Sequence, residues 1–146
     1  MTENFSMNSF TRSIDLLQRA LDVNTLRYNV TSNNIVLADV PNFKRTVVNF
    51  ESELKQAFES EENAKNAFEL ATQSPRHIKL NTVIDYKTVK PQRVVDYAST
   101  EKANGNNVNV ETEAMNIIKI GMQYKMLTLL ENHEFSQLKT AMAPIR

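Results

Sequence analysis

Imidazole chemistry in this chain rests on two histidines, His77 and His133, and there is no cysteine to join them. They lie far apart and share no metal-ligand spacing, so each reads as a packed or solvated ring. The neighbouring acids Glu61 and Glu62 could act as acid and base. They sit in a charge-rich stretch, however, where a solvated helix face is the simpler account. The serines lack a nucleophile-elbow context, and two glycines, Gly105 and Gly121, cannot build a phosphate-cradling loop. Without thiols, disulfide and thiolate chemistry are excluded. Asn4-Phe5-Ser6 and Asn29-Val30-Thr31 match glycosylation sequons, the second inside a helical seam. Catalysis therefore finds no support in the sequence, and no cofactor or metal is expected.

Seventeen basic and seventeen acidic residues cancel, so no net field draws the chain to nucleic acid or anionic lipid. Lys87, Lys90 and Arg93 cluster loosely, but without the stacking aromatics of a nucleic-acid surface. No apolar run approaches the ~20 residues needed to span a bilayer, so direct membrane insertion is not expected. The opening MTENFSMNSF lacks the basic and apolar regions of a cleavable secretory signal. Charge is unevenly distributed: acids dominate 51–73 and bases dominate 74–102. Solvated faces explain this simply; acidic and basic segments meeting across subunits would be the sharper account.

With so few glycines and four prolines, the chain should be mostly helix. Over 7–38, Met7, Ile14, Leu21, Tyr28 and Ile35 fall seven apart, and Phe10, Leu17, Asn24, Thr31 and Ala38 form a second track. That is a coiled-coil seam with polar interruptions, which weaken pairing while fixing its register. A helix of this length extends ~45–50 Å. Leu16, Val23, Leu26, Val30 and Leu37 add a further apolar track, which calls for more than one neighbour. From about Val110 to Met142, Ile117, Ile120, Tyr124, Leu127, Leu138 and Ala141 keep the same spacing, interrupted by Glu131 and Glu134. Met115, Ile118, Met122, Met126 and Leu129 make a second stripe there, while Glu111 and Glu113 suit the positive end of the helix dipole.

The fold class expected is mainly α, with long terminal amphipathic helices pairing as a coiled-coil-like bundle around a small mixed middle region. The divisions are 1–40, 41–109 and 110–146, the two terminal helices forming one structural unit. In the middle, Thr46 to Phe50 reads as extended, 51–73 as helix, 76–97 as extended or hairpin, and 98–109 as loop. Pro91 argues against a central strand position. Between the first helix and this region, NVTSNNIVLADVPNFK at 29–44 runs an Asn-rich helix end into a turn. Pro41 cannot continue a helix and biases Val40 toward extended geometry, so these residues fix where the helix stops and how the chain leaves it.

Residues 33–44 resemble the N-terminal motif of the bacterial flagellar rod/hook axial protein family, N-I-A-N-x-x-T-P-G-Y/F-K. The likeness rests on Asn34, Ile35, Ala38, Pro41, Phe43 and Lys44, with Val36, Leu37, Val40 and Asn42 departing. Asn42 in place of glycine is the mildest departure, because Asn tolerates the left-handed region. SIDLLQRALDV at 13–23, SPRHIKL at 74–80 and the stretch 104–132 are similar to rod-type members in the same order. The resemblance implies a structural subunit, exported through the flagellar type III channel without a cleaved signal. Such a subunit polymerises with itself as the proximal rod in the periplasm, transmitting torque and enclosing the export channel. The implied partners are further copies, the neighbouring rod protein FlgC, the adaptor FliE and the export gate. A soluble coiled-coil adaptor or export chaperone is the alternative. The packing set expected for assembly is Ile14, Leu17, Leu21, Tyr28, Ile35, Ile117, Ile120, Tyr124 and Leu127, and Pro41, Asn42 and Phe43 set the exit turn.

Overall fold

A computed structural model describes residues 9–67, 82–99 and 102–143. Met7, His77, Pro144, the SPRHIKL segment and the far end of the helix expected over 51–73 lie outside them. Two long helices, α1 (Ser9–Val36) and α3 (Val110–Ala141), flank a shorter α2 (Glu51–Asn66), a 3-10 turn (Tyr86–Thr88) and two strands, β1 (Thr46–Asn49) and β2 (Gln92–Val95). The chain divides into two compact units. One holds Met1–Val47 with Val95–Arg146, the other Val48–Val94.

In the first unit α1 and α3 pack together and run antiparallel. Asn34 near the end of α1 meets Glu113 at the start of α3, and Asn24, further back, meets Ile120, further on. Buried on α1 are Val23, Asn24, Val30, Thr31 and Asn34. The packed stripe thus combines the track of Asn24, Thr31 and Ala38 with the apolar track of Val23 and Val30. Tyr28, from the other seam track, is about half exposed at 49%. A seam rotated this way follows from size. Valine and small polar side chains let the backbones approach, whereas a tyrosine between them would hold them apart.

α3 begins where Asn109 accepts a hydrogen bond from the Thr112 N–H at 3.1 Å, a side-chain N-cap supported by Glu111 and Glu113 in the first turn. It ends with the Met142 N–H donating to the Leu138 carbonyl. Glu113 and Ile120 are its buried residues.

In the second unit α2 starts after Phe50 with Glu51 and Glu53 in its first turn and ends with Lys65 in its last, each sign matching the dipole. Glu61–Lys65 and Lys55–Glu59 are paired one turn apart, at 2.8 and 3.5 Å. Ala57 is buried; Ser60 Oγ donates to its carbonyl and accepts the Ile84 N–H. Phe58 and Tyr86 rings lie 6.2 Å apart. Asp85 caps the 3-10 turn by accepting from the Lys87 N–H. The helix stops at Asn66, with Ala67 extended.

β1 and β2 form a two-stranded sheet. The Asp96 N–H donates to the Arg45 carbonyl at 2.8 Å, which sets the start of β1 beside the end of β2 and makes the pair antiparallel. Among the described residues of 76–97, the extended part pairs with β1 rather than with its own neighbours. Pro91 stands just before β2, where its missing N–H costs no ladder bond.

Candidate functional site

The last turns of α1 tighten before the chain leaves. The Leu37 N–H still reaches back four residues to Asn33, but the Ala38 and Val40 N–H groups reach back only three, to Ile35 and Leu37. The helix proper ends at Val36; after these turns Pro41 bars its resumption, and Asn42 takes the chain through the left-handed region at φ 59°. Asparagine is the non-glycine residue best suited to that conformation. From there the Asn42 N–H donates to the Asn104 carbonyl at 3.0 Å, joining the exit of α1 to the loop before α3.

That loop caps α1 from across the unit. Asn106 Nδ2 donates to the carbonyls of Leu37 (3.1 Å) and Val40 (2.9 Å), and Lys102 Nζ to that of Ala38 (2.7 Å). Gly105 sits at φ 79°, and a Cβ there would stand 2.7 Å from Asn42 Oδ1. The backbone angle is what favours glycine; the close contact is with the end of the exposed Asn42 side chain, which would have to swing aside.

Beyond the turn, three asparagines commit every polar atom. Asn34 Oδ1 accepts from the Thr46 N–H at 3.1 Å; its Nδ2 donates to the Thr46 carbonyl at 2.8 Å and to Glu113 Oε2 at 3.2 Å. Asn106 Oδ1 accepts from the Val108 N–H at 2.7 Å. Asn107 Oδ1 accepts from the Arg45 N–H at 2.6 Å, and its Nδ2 donates to the Asp96 carbonyl and Ser99 Oγ. Two donors and an acceptor on one short side chain are what these backbone partners need, and aspartate offers no donor. All three side chains are buried.

At the centre lies Glu113, 1% exposed. Its carboxylate accepts from Arg45 Nε at 2.6 Å through one oxygen and from Asn34 through the other. A buried carboxylate is tolerated because both oxygens have charged or amide partners; removing either leaves a desolvated charge. Asp96, nearby in the same unit, is held below its ordinary value of 3.8, first by the Ser99 hydroxyl and then by the Ala98 N–H, with the Arg45 charge assisting.

Of the motif residues, Asn34 and Ala38 are buried, Phe43 and Lys44 half-buried, and Pro41 and Asn42 exposed. Among the expected packing residues Ile120 is buried, and Ile14, Leu17, Leu21, Ile35, Ile117 and Leu127 are half-buried. Tyr124, like Tyr28, is 49% exposed. Arg45, Glu113, Asn106 and Asn107 escape a reading by sequence. Glu113 is already accounted for by the helix dipole, and an Asn-Gly cluster reads as turn. The one available signal is that the asparagines stand immediately before a helix start.

The arrangement joins two chain ends through backbone-directed amides and one buried ion pair. Among the described residues it brings no nucleophile and base together, and His133 bonds to Gln137 on the α3 surface. Among the described residues no group of three acids, histidines or cysteines could hold a metal ion, and no helix is long and apolar enough to cross a membrane.

No family model matches the chain. It is 42% identical to the flagellar basal body rod protein FlgB of Borreliella burgdorferi, over 90% of this chain and 96% of that relative. It is 29% identical to FlgB of Aeromonas hydrophila, over 92% and 95% of the two chains, and 27% identical to FlgB of Bacillus subtilis, over 93% and 97%. Identity this high over nearly the full length of the first relative, with the same name recurring in distant bacteria, shows that the chain belongs to the FlgB family of flagellar basal body rod proteins.

Proposed function

We propose that the chain is a self-assembling structural subunit of the proximal rod in the flagellar basal body, with no catalytic role. The observation that supports this best, beside the family, is the outer stripe of α3. Met115, Ile118, Met122, Met126 and Leu129 recur at helical spacing and are each at least 60% exposed. A continuous apolar stripe of this kind on a single chain calls for cover. In a rod it is covered by further copies, which also gives the half-exposed Tyr28 and Tyr124 a place between subunits. The half-buried positions Ile14, Leu17, Leu21, Ile35, Ile117 and Leu127, together with Ile120, then complete the helical wall. Residues 1–40 and 110–146 act as one rod-forming unit, with 41–109 as the middle region between them in the chain.

On this reading the subunit leaves the cytoplasm through the flagellar export gate without a cleaved signal. It assembles in the periplasm between the adaptor FliE and the rod protein FlgC, transmitting torque around the export channel. A soluble adaptor or export chaperone is not favoured, since the relatives are named rod proteins. The test replaces Met122 and Met126 with glutamate. The purified double variant should keep wild-type helicity but fail to enter rods in cells lacking the natural copy; normal rods would overturn the proposal. Leu21→Glu and Leu127→Glu should likewise block assembly while leaving export detectable.

A further inference from the structure

The end of α1 is finished by residues 64 to 69 positions away in the chain. A helix C-terminus ordinarily satisfies its last carbonyls through a following glycine turn or water. Neither glycine of this chain follows α1. Left to itself, the 37–43 stretch makes single-turn bonds of 3.0–3.3 Å from Leu37, Ala38, Val40 and Phe43. Among the described residues, the remaining hydrogen bonds of 37–43 come from 102–106: the Lys102 ammonium, both donors of Asn106 and the Asn104 carbonyl. The two segments also touch at Gly105, where an added Cβ would stand 2.7 Å from Asn42 Oδ1 and displace that side chain.

We infer that residues 102–107 form a latch: the exit of α1, residues 37–43, becomes ordered only when this loop is seated on it. The exit and the loop therefore open and close as one cooperative unit, separate from the helix pairing between Val23 and Ile120. Coupling of this kind is reciprocal, so a defect on the loop is read at the exit, and a defect at Asn42 is read on the loop. Until the C-terminal segment is present, α1 ends without its caps and the chain has no fixed direction into the middle region. The inference concerns the single chain and stands or falls independently of rod assembly.

Hydrogen exchange with mass spectrometry on the full-length chain tests it. Lys102→Met keeps the side-chain stem and removes only the ammonium; Gly105→Ala brings a Cβ against Asn42. In both, the bonded amides between Leu37 and Phe43 should exchange about tenfold faster or more, while those of 23–31 and 113–127 keep wild-type rates. Adding Asn42→Gly to Gly105→Ala should restore part of the protection, since glycine retains the left-handed turn and vacates the space. Wild-type protection at 37–43 in both single variants would overturn the latch. So would equal acceleration along the whole chain, which would show no separate unit.

Discussion

Asn106 spends two amide hydrogens on carbonyls of the α1 exit and its oxygen on the Val108 N–H. Asn106→Asp keeps the shape but turns a donor pair into a charge facing two carbonyl oxygens. It should cost about 3 kcal/mol in urea unfolding, against about 1 kcal/mol for a single exchanged bond. Arg45→Met should cost a similar ~3 kcal/mol, because Glu113 is left buried with only Asn34 beside it. The same substitution combined with Glu113→Gln should recover much of that loss, since the stranded charge is gone. If Arg45→Met alone proves neutral, the carboxylate is not held as the distances indicate. Asp96 supplies a pH dependence. Its folded carboxyl binds a proton less tightly than the unfolded one. Its contribution is therefore complete above the unfolded value of 3.8 and is lost as pH falls through the lower folded value. Ser99→Ala removes the largest cause and should move the Asp96 titration, followed by carboxyl-carbon NMR, up toward 3.8; an unmoved titration would contradict it.

The elements were largely legible in the sequence because helix formation is periodic and local. Spacing of three and four residues located α1 and α3, Pro41 marked the turn beyond the first, which itself stops earlier, at Val36, and the β-branched run at 46–49 matches β1. Two things are not local. Which track of α1 faces α3 depends on how closely two backbones approach, and the valine, asparagine and threonine positions win over Tyr28. The partner of β2 is chosen where the chain re-enters the first unit, and no feature of 92–95 names it. The polar joint was hidden for a related reason: an asparagine that caps a distant helix has the same local signature as one in a solvated turn. Asn24, by contrast, announced itself as a polar residue in a seam. It donates to the Ile120 carbonyl at 3.2 Å, while its buried Oδ1 has no hydrogen-bond partner among the described residues. Asn24→Leu should therefore raise stability by about 1 kcal/mol and lower the fidelity of register. A thermal scan reads the first effect, and cysteines placed for cross-linking across α1 and α3 read the second; a stability loss would show that the amide contributes more than its orphaned oxygen costs.

Along the pair of long helices the fastening is concentrated at one end. Buried positions on α1 fall between Val23 and Asn34, and those on α3 are Glu113 and Ile120, beside the joint. Among the described residues, none from 9–22 or 121–143 is buried. These distal stretches are at most half-buried, so their helices lean more on propensity, which is marginal in water for segments of one or two dozen residues. The single chain in solution should therefore show a gradient of exchange. Amides of 23–36 and 110–120 should be the slowest, with protection falling steadily toward Ser9 on one helix and Ala141 on the other. Subunits within isolated rods should lose that gradient, because neighbouring copies cover Met122, Met126 and Leu129 and supply the missing face. The comparison ties the fold to the proposed assembly through one measurement on two samples. Uniform protection of both helices in the free chain would mean that the distal halves need no neighbour, and the exposed stripe would then require another occupant.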